Sequence, residues 1–117
     1  MWWLMILPGK KGLEETMRLL IAASHLPTPR QQYKAIPGRR YSWDFAWPEA
    51  KILLEVQGGT WMSKGGHNTG SGINRDNEKA NLANIAGWCC LAVTKDHIKS
   101  GQALEWVKEA HKNFPPF

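Results

Sequence analysis

Cysteine is nearly absent from this 117-residue chain, and the two that occur, Cys89 and Cys90, are adjacent. Neighbours on an extended segment point to opposite faces, so the run Trp88-Cys89-Cys90-Leu91-Ala92-Val93 discourages a bond between them. The expectation is a pair of core thiols in a reducing cytoplasm, not a disulfide scaffold. Long apolar runs are lacking too. The stretch Trp2-Trp3-Leu4-Met5-Ile6-Leu7 falls well short of the roughly 20 residues that span a bilayer. Lys10 and Lys11 follow it, whereas a signal peptide carries its basic residues in front. No membrane role is expected, and the apolar stretch reads as cover for a sheet edge or a second subunit. A phosphate-cradling loop is also missing, because Gly65-Gly66-His67-Asn68-Thr69-Gly70 does not end in Gly-Lys-Ser/Thr, so no nucleotide cofactor is expected. Acids are sparse ahead of residue 41. There Lys10, Lys11, Arg18, Arg30, Lys34, Arg39 and Arg40 face only Glu14 and Glu15, while the rest of the chain balances and the total is +5. A one-sided basic segment is the electrostatic footprint of a polyanion partner.

What the chain does contain is one domain's worth of alternating patterns, enough to bury roughly 60–70% of the unfolded surface. Gly12 to Ala23 reads as a helix with Met17, Leu20 and Ile21 on its apolar face. Pro27 and Pro29 end that region, and Gln31 to Ile36 can be a first strand. Tyr41 to Trp47 and Lys51 to Gln57 make a hairpin around Pro48-Glu49-Ala50. Gly58 to Gly72 reads as a glycine-rich loop. Ile73 to Ala86 forms a helix capped by Asn74, with Ile73, Leu82, Ile85 and Ala86 as its buried stripe. Trp88 to Thr94 is a fourth strand, and Ser100 to Asn113 a final helix with Leu104, Val107 and His111 on one stripe. The fold class is therefore α/β, a mixed four-stranded sheet flanked by helices in the order α-β-β-β-α-β-α, over a single domain 1–117 whose residues 1–10 form an apolar extension.

If the hairpin turns between Glu49 and Ala50, facing residues have numbers summing to 99, and Asp44 stands opposite Glu55. Two like charges about 4.5–5.5 Å apart at Cβ destabilise a ladder. A divalent cation between them removes that penalty. Gln57 follows Glu55 on the same face and Val56 adds a backbone carbonyl, so the donors are hard oxygens that suit Mg²⁺, with Mn²⁺ as a substitute, better than zinc.

Asp44, ten intervening residues, then Glu55-Val56-Gln57 resembles the PD-(D/E)XK nuclease signature. The longer series Asp44-Phe45-Ala46-Trp47-Pro48, Glu55-Val56-Gln57-Gly58-Gly59, Arg75-Asp76-Asn77-Glu78-Lys79 and Gly87-Trp88 is similar to small phage and bacterial members related to very-short-patch repair endonucleases. The resemblance covers roughly residues 13–110. It implies a restriction-endonuclease-like core, DNA as substrate, Mg²⁺ as cofactor, and a bacterial or phage-infected cytoplasm as the setting. It also implies an acid on the first helix, Glu15 or its neighbour Glu14. Gln57 stands where the family carries its lysine, so another group must supply that charge.

Further candidates come from position. His67 in the glycine-rich segment can act as a base or polarise a phosphate near neutral pH. Arg75 and Lys79, one turn apart, share a helix face and can neutralise a scissile phosphate. The expected active site is thus Asp44, Glu55, Gln57, Glu15, His67 and Lys79, with Asp44, Glu55 and the Val56 carbonyl on the metal. DNA contacts are expected from Arg30, Lys34, Arg39, Arg40, Lys64 and Arg75. The activity expected is Mg²⁺-dependent endonucleolytic hydrolysis by a homodimer that resolves branched DNA. Alternatives are a mismatch or single-strand nicking enzyme, a ribonuclease, or an inactive DNA-binding module.

Overall fold

The computed structural model describes residues 9–58 and 70–113. The elements run α1 (Gly9–Ala23), β1 (Arg30–Tyr33), β2 (Trp43–Trp47), β3 (Ile52–Val56), α2 (Gly70–Ile85), β4 (Cys89–Val93), α3 (Lys95–Ser100) and α4 (Gln102–Asn113). The four strands form one sheet in the order β1-β2-β3-β4. The first two pairings are antiparallel and β3 runs parallel to β4. A parallel return requires a crossover, and the chain segment carrying α2 makes it.

The two central strands are buried along nearly their whole length. Every residue of β2 is buried, and so is every residue of β3 except Glu55. Alternation then divides the apolar side chains between two layers. On one side Phe45, Trp47, Ile52, Leu54, Val56 and Val93 pack against Leu13, Met17 and Ile21 of α1, Ile98 of α3, and Ala103, Val107 and Ala110 of α4. On the other, Trp43, Ala46, Leu53 and Trp88 meet α2 through Ala83. Leu13, Met17 and Ile21 recur at four-residue intervals, the spacing that keeps one helix face on a sheet. Each fully buried side chain of this kind contributes about 1.5–3 kcal/mol, so α1 is held to the sheet chiefly by these three.

Several boundaries differ from the sequence expectation for identifiable reasons. β1 stops at Tyr33, not Ile36, shortly after Gln32, whose φ of 50° leaves the extended region. α2 begins at Gly70, so Asn74 lies inside the helix and is not its cap. The stripe expected on α2 is not buried: Ile73 is 48% exposed and Ile85 is 82% exposed, while Ala83 is fully covered. The final helix is two helices. Thr94 and His97 form a reciprocal cap that starts α3 at Lys95, and Gly101, with φ 90°, ends it before α4 begins. Of the stripe expected on the last helix, Val107 is fully buried and Leu104 and His111 are half-buried, with Ala103 and Ala110 completing the face. Cys89 and Cys90 are free thiols, one packed on each layer, and burial pushes the Cys90 thiol up to about 11. The residues Trp2 to Leu7 and most of the glycine-rich segment lie outside the described residues. No helix among the described residues is long and apolar enough to cross a membrane.

Candidate active site

The hairpin pairs as its sequence suggests: Phe45 faces Leu54, Ala46 faces Leu53 and Trp47 faces Ile52, each pair summing to 99. The turn closes through the Ala50 N–H to the Trp47 carbonyl at 3.0 Å and the Lys51 N–H to the Pro48 carbonyl at 3.1 Å. The next step along the register is Asp44 and Glu55. Pairing stops there. The Val56 N–H is taken by Asp44 Oδ2 at 2.7 Å, so a side chain completes what a strand carbonyl would otherwise supply.

Both neighbours of Asp44 show why the strands part. Trp43 packs in the α2 layer and Phe45 in the α1 layer, so the two-residue alternation of β2 breaks at Asp44. On β1 the paired residues are Gln31 with Phe45 and Tyr33 with Trp43, and Gln32 between them sits at positive φ. A non-glycine residue held there stores about 1–3 kcal/mol and persists only where its surroundings hold it. Gln32 is held by its side chain, whose Nε2 lies 3.3 Å from Asp44 Oδ1 and 3.3 Å from Glu14 Oε1.

The result is a polar cluster at the end of the central strands. Asp44 is only 5% exposed. Lys10 Nζ donates to both its oxygens at 3.0 Å and to Glu14 Oε2 at 2.5 Å. Burial pulls the Lys10 ammonium down, and the bonds and charges of Glu14 and Asp44 more than reverse this, leaving its pKa above the ordinary value. Glu55, half-buried, accepts from Lys79 Nζ at 3.0 Å. Lys79 also donates to the Ser42 carbonyl at 2.8 Å and lies 4.7 Å from the centre of the Trp43 ring. Burial, and then the charge of Asp44, raises the Glu55 pKa against the opposing pull of Lys79 and Lys10.

These groups line one open cleft of about 530 Å³, together with Lys11, Tyr41, Ser42, Arg75 and Asp76. Its charged side chains are four cations (Lys10, Lys11, Arg75, Lys79) and four acids (Glu14, Asp44, Glu55, Asp76), an even balance. The structure brings together Asp44, Glu55, Lys79 and Arg75 of the expected set. Glu15 points to Arg18, accepting from its guanidinium at 3.0 Å through Nε and again through Nη2, and does not line the cleft, whereas Glu14 lines it and accepts from Lys10 and Gln32, the partners of Asp44. Gln57 is exposed and does not line the cleft, although its N–H pairs with the Val93 carbonyl at 2.8 Å. His67 and Lys64 lie outside the described residues. Arg30, Lys34, Arg39 and Arg40 are all exposed and stand outside the cleft. Arg39 reaches Glu78 of α2 at 3.1 Å, and Tyr41 donates to the same carboxylate.

Sequence reasoning missed Lys10 and Gln32 as site residues and preferred Glu15 to Glu14. The signal for the first helix was there. At about 100° per residue, the stripe Leu13, Met17, Ile21 carries Lys10 and Glu14 with it and turns Glu15 away. No comparable signal marked Gln32.

Among the described residues, no three His, Cys, Asp or Glu side chains are grouped closely enough to hold a metal by themselves. Magnesium asks for less, since it is commonly bound by one or two carboxylates and keeps several waters. Asp44 and Glu55 meet that requirement, and every neighbouring acceptor is oxygen. On an extended strand the N–H and C=O of one residue face the same neighbour. The Val56 carbonyl is therefore directed to the side from which its N–H meets Asp44. The donor set fits Mg²⁺ or Mn²⁺. Comparisons of the chain with protein-family models, curated proteins and solved structures return no match.

Proposed function

We propose that this chain is a metal-dependent endodeoxyribonuclease with a restriction-endonuclease-like core, hydrolysing phosphodiester bonds in the cleft between α1, α2 and the end of the central strands. The observation that carries this reading is the meeting of a buried Asp44 and a half-buried Glu55 where β2 and β3 part, with Lys79 and Arg75 beside them. Paired carboxylates next to lysine and arginine serve poorly as a plain phosphate-binding surface. They serve well where a cation and a phosphate must share a site.

Asp44, Glu55 and the Val56 carbonyl would hold Mg²⁺, which when bound acidifies a water and polarises a phosphoryl oxygen. The chain's own groups do the rest. Lys79, fixed by Ser42 and Trp43, offers an ammonium to the scissile phosphate in the place left by Gln57, and Arg75 on the same helix face takes an adjacent phosphate. Glu14 and Gln32 orient a water at Asp44. His67 remains a candidate base. The cleft itself is balanced in charge, so Arg30, Lys34, Arg39 and Arg40, exposed outside it, would supply the further phosphate contacts to DNA. A homodimer presenting two such sites to symmetric strands of a branched junction is the leading form.

One observation favours a second reading. Both carboxylates are already paired with lysines, an arrangement that an inactive DNA-binding module of this fold could keep. Incubation with labelled linear duplex, mismatched duplex, four-way junction and RNA, each with Mg²⁺, Mn²⁺ or Ca²⁺, separates them. Cleavage with Mg²⁺ or Mn²⁺ and none with Ca²⁺ is the expected result. Binding without cleavage in any metal would establish the module.

A further inference from the structure

Lys10 is the second residue of α1 and, among the described residues, the sole cation bonded to Asp44. Its ammonium lies 3.0 Å from each carboxylate oxygen and bridges to Glu14. This symmetrical seat on a nearly covered carboxylate is the approach a metal ion would use. The backbone beside it is shaped to the same end. A Cβ at Gly58 would stand 2.9 Å from the Cβ of Lys10, a separation that real Cβ atoms essentially never show, and a tight 3.2 Å from its Cα. Gly58, two residues past the end of β3, therefore admits the start of α1 at the distance from which Lys10 can reach Asp44.

We propose that Lys10 is a resident cation for Asp44, which a divalent ion must displace on entry, and that Gly58 is the positioning residue that holds Lys10 there. The inference rests on the metal-dependent reading above. It accounts for how a buried carboxylate is kept in the fold before metal arrives, since an unpaired buried charge is strongly unfavourable. It also sets a threshold, because a metal must compete with an intramolecular ammonium whose local concentration is fixed by the helix. Once displaced, Lys10 stays at the cleft wall beside Lys11, where a phosphate would meet it.

The test is Mn²⁺ alone, titrated into the full chain and followed by the electron paramagnetic resonance signal of the free ion. Lys10→Met should bind Mn²⁺ about 3- to 5-fold more tightly than wild type, the range of a partly exposed ion pair. Gly58→Ala, which forces Lys10 aside while keeping its charge, should shift affinity in the same direction. Lys11→Met removes the same charge from the cleft wall without removing a hydrogen bond to Asp44, and should shift affinity by less than half as much. Thermal melts add a second readout: without metal Lys10→Met should melt below wild type, and Mn²⁺ should raise its midpoint by more. Equal affinity of Lys10→Met and wild type, or an equal shift from Lys11→Met, would overturn the role of Lys10 and leave the metal site standing. If neither wild type nor Lys10→Met takes up Mn²⁺, both fall together.

Discussion

The two faces of the sheet are unequal. Among the described residues, the core toward α1, α3 and α4 holds fourteen buried apolar residues and the core toward α2 holds five, of which α2 itself contributes only Ala83. Among the described residues, the ties of α2 include polar ones: Lys79 to Glu55 and Ser42, and Glu78 to Arg39 and Tyr41. One layer supplies the apolar burial that holds the domain together, and the other carries charged side chains to the cleft at a smaller cost to the fold. A weakly buried helix is also the element that opens most readily, a property that suits the proposed polymeric substrate.

Ile21→Ala, on the thick side and 1% exposed, should cost about 2–5 kcal/mol in urea unfolding. Ile85→Ala, equally apolar but exposed on α2, should stay within about 0.5 kcal/mol. A comparable loss at both positions would mean that the two layers are not unequal. A smaller effect is expected at the tie itself. Lys79→Met should lower stability by about 1 kcal/mol and widen the gap in hydrogen exchange between α2 and α1 amides. Uniform protection across both helices would remove the basis for a loosely held α2.

How much of this could be seen in the sequence differs between the same two regions. The β2–β3 hairpin was legible because Pro48 and the alternation around it fix both turn and register; the ladder ends at Phe45 and Leu54, one step short of Asp44 and Glu55, and both acids line the cleft beyond it. The helix between β3 and β4 was visible, but its buried stripe was not. Ile73 and Ile85 look like core by their chemistry, and only the sheet's shape decides that Ala83 faces inward. The strain at Gln32 had no sequence signal, since glutamine carries no preference for positive φ. Glu14 and Glu15 were separable by helix phase, once the stripe was taken as Leu13, Met17 and Ile21.

Two further outcomes concern the charged side. Replacing Arg30, Lys34, Arg39 and Arg40 by Gln should flatten the slope of log affinity against log salt by about 2 to 4 units if each loses one phosphate contact. An unchanged slope would put the DNA on the α2 wall, at Arg75 and Lys79. The smallest effect is in pH. Because burial and Asp44 hold the folded Glu55 pKa above its unfolded value of 4.5, the folded state binds the extra proton in that window. Stability then falls as pH rises from about 4.5 through the raised pKa. Glu55→Gln lacks this fall, so its stability relative to wild type should climb across the same window. Saturating Mg²⁺ should abolish the difference in slope by favouring the ionised carboxylate. A parallel pH dependence in both proteins would mean that Glu55 is not perturbed.

The central claim is that Asp44 and Glu55 form a metal-dependent hydrolytic centre. Its most direct test is a cleavage assay on labelled four-way junction and linear duplex with Mg²⁺, comparing wild type with Asp44→Asn and Glu55→Gln while binding is measured in parallel. Wild type should cut, with the junction preferred, and each variant should lose cleavage while binding DNA as well as or better than wild type, since each removes a negative charge from the cleft. Cleavage by either variant at a rate near that of wild type would contradict the claim.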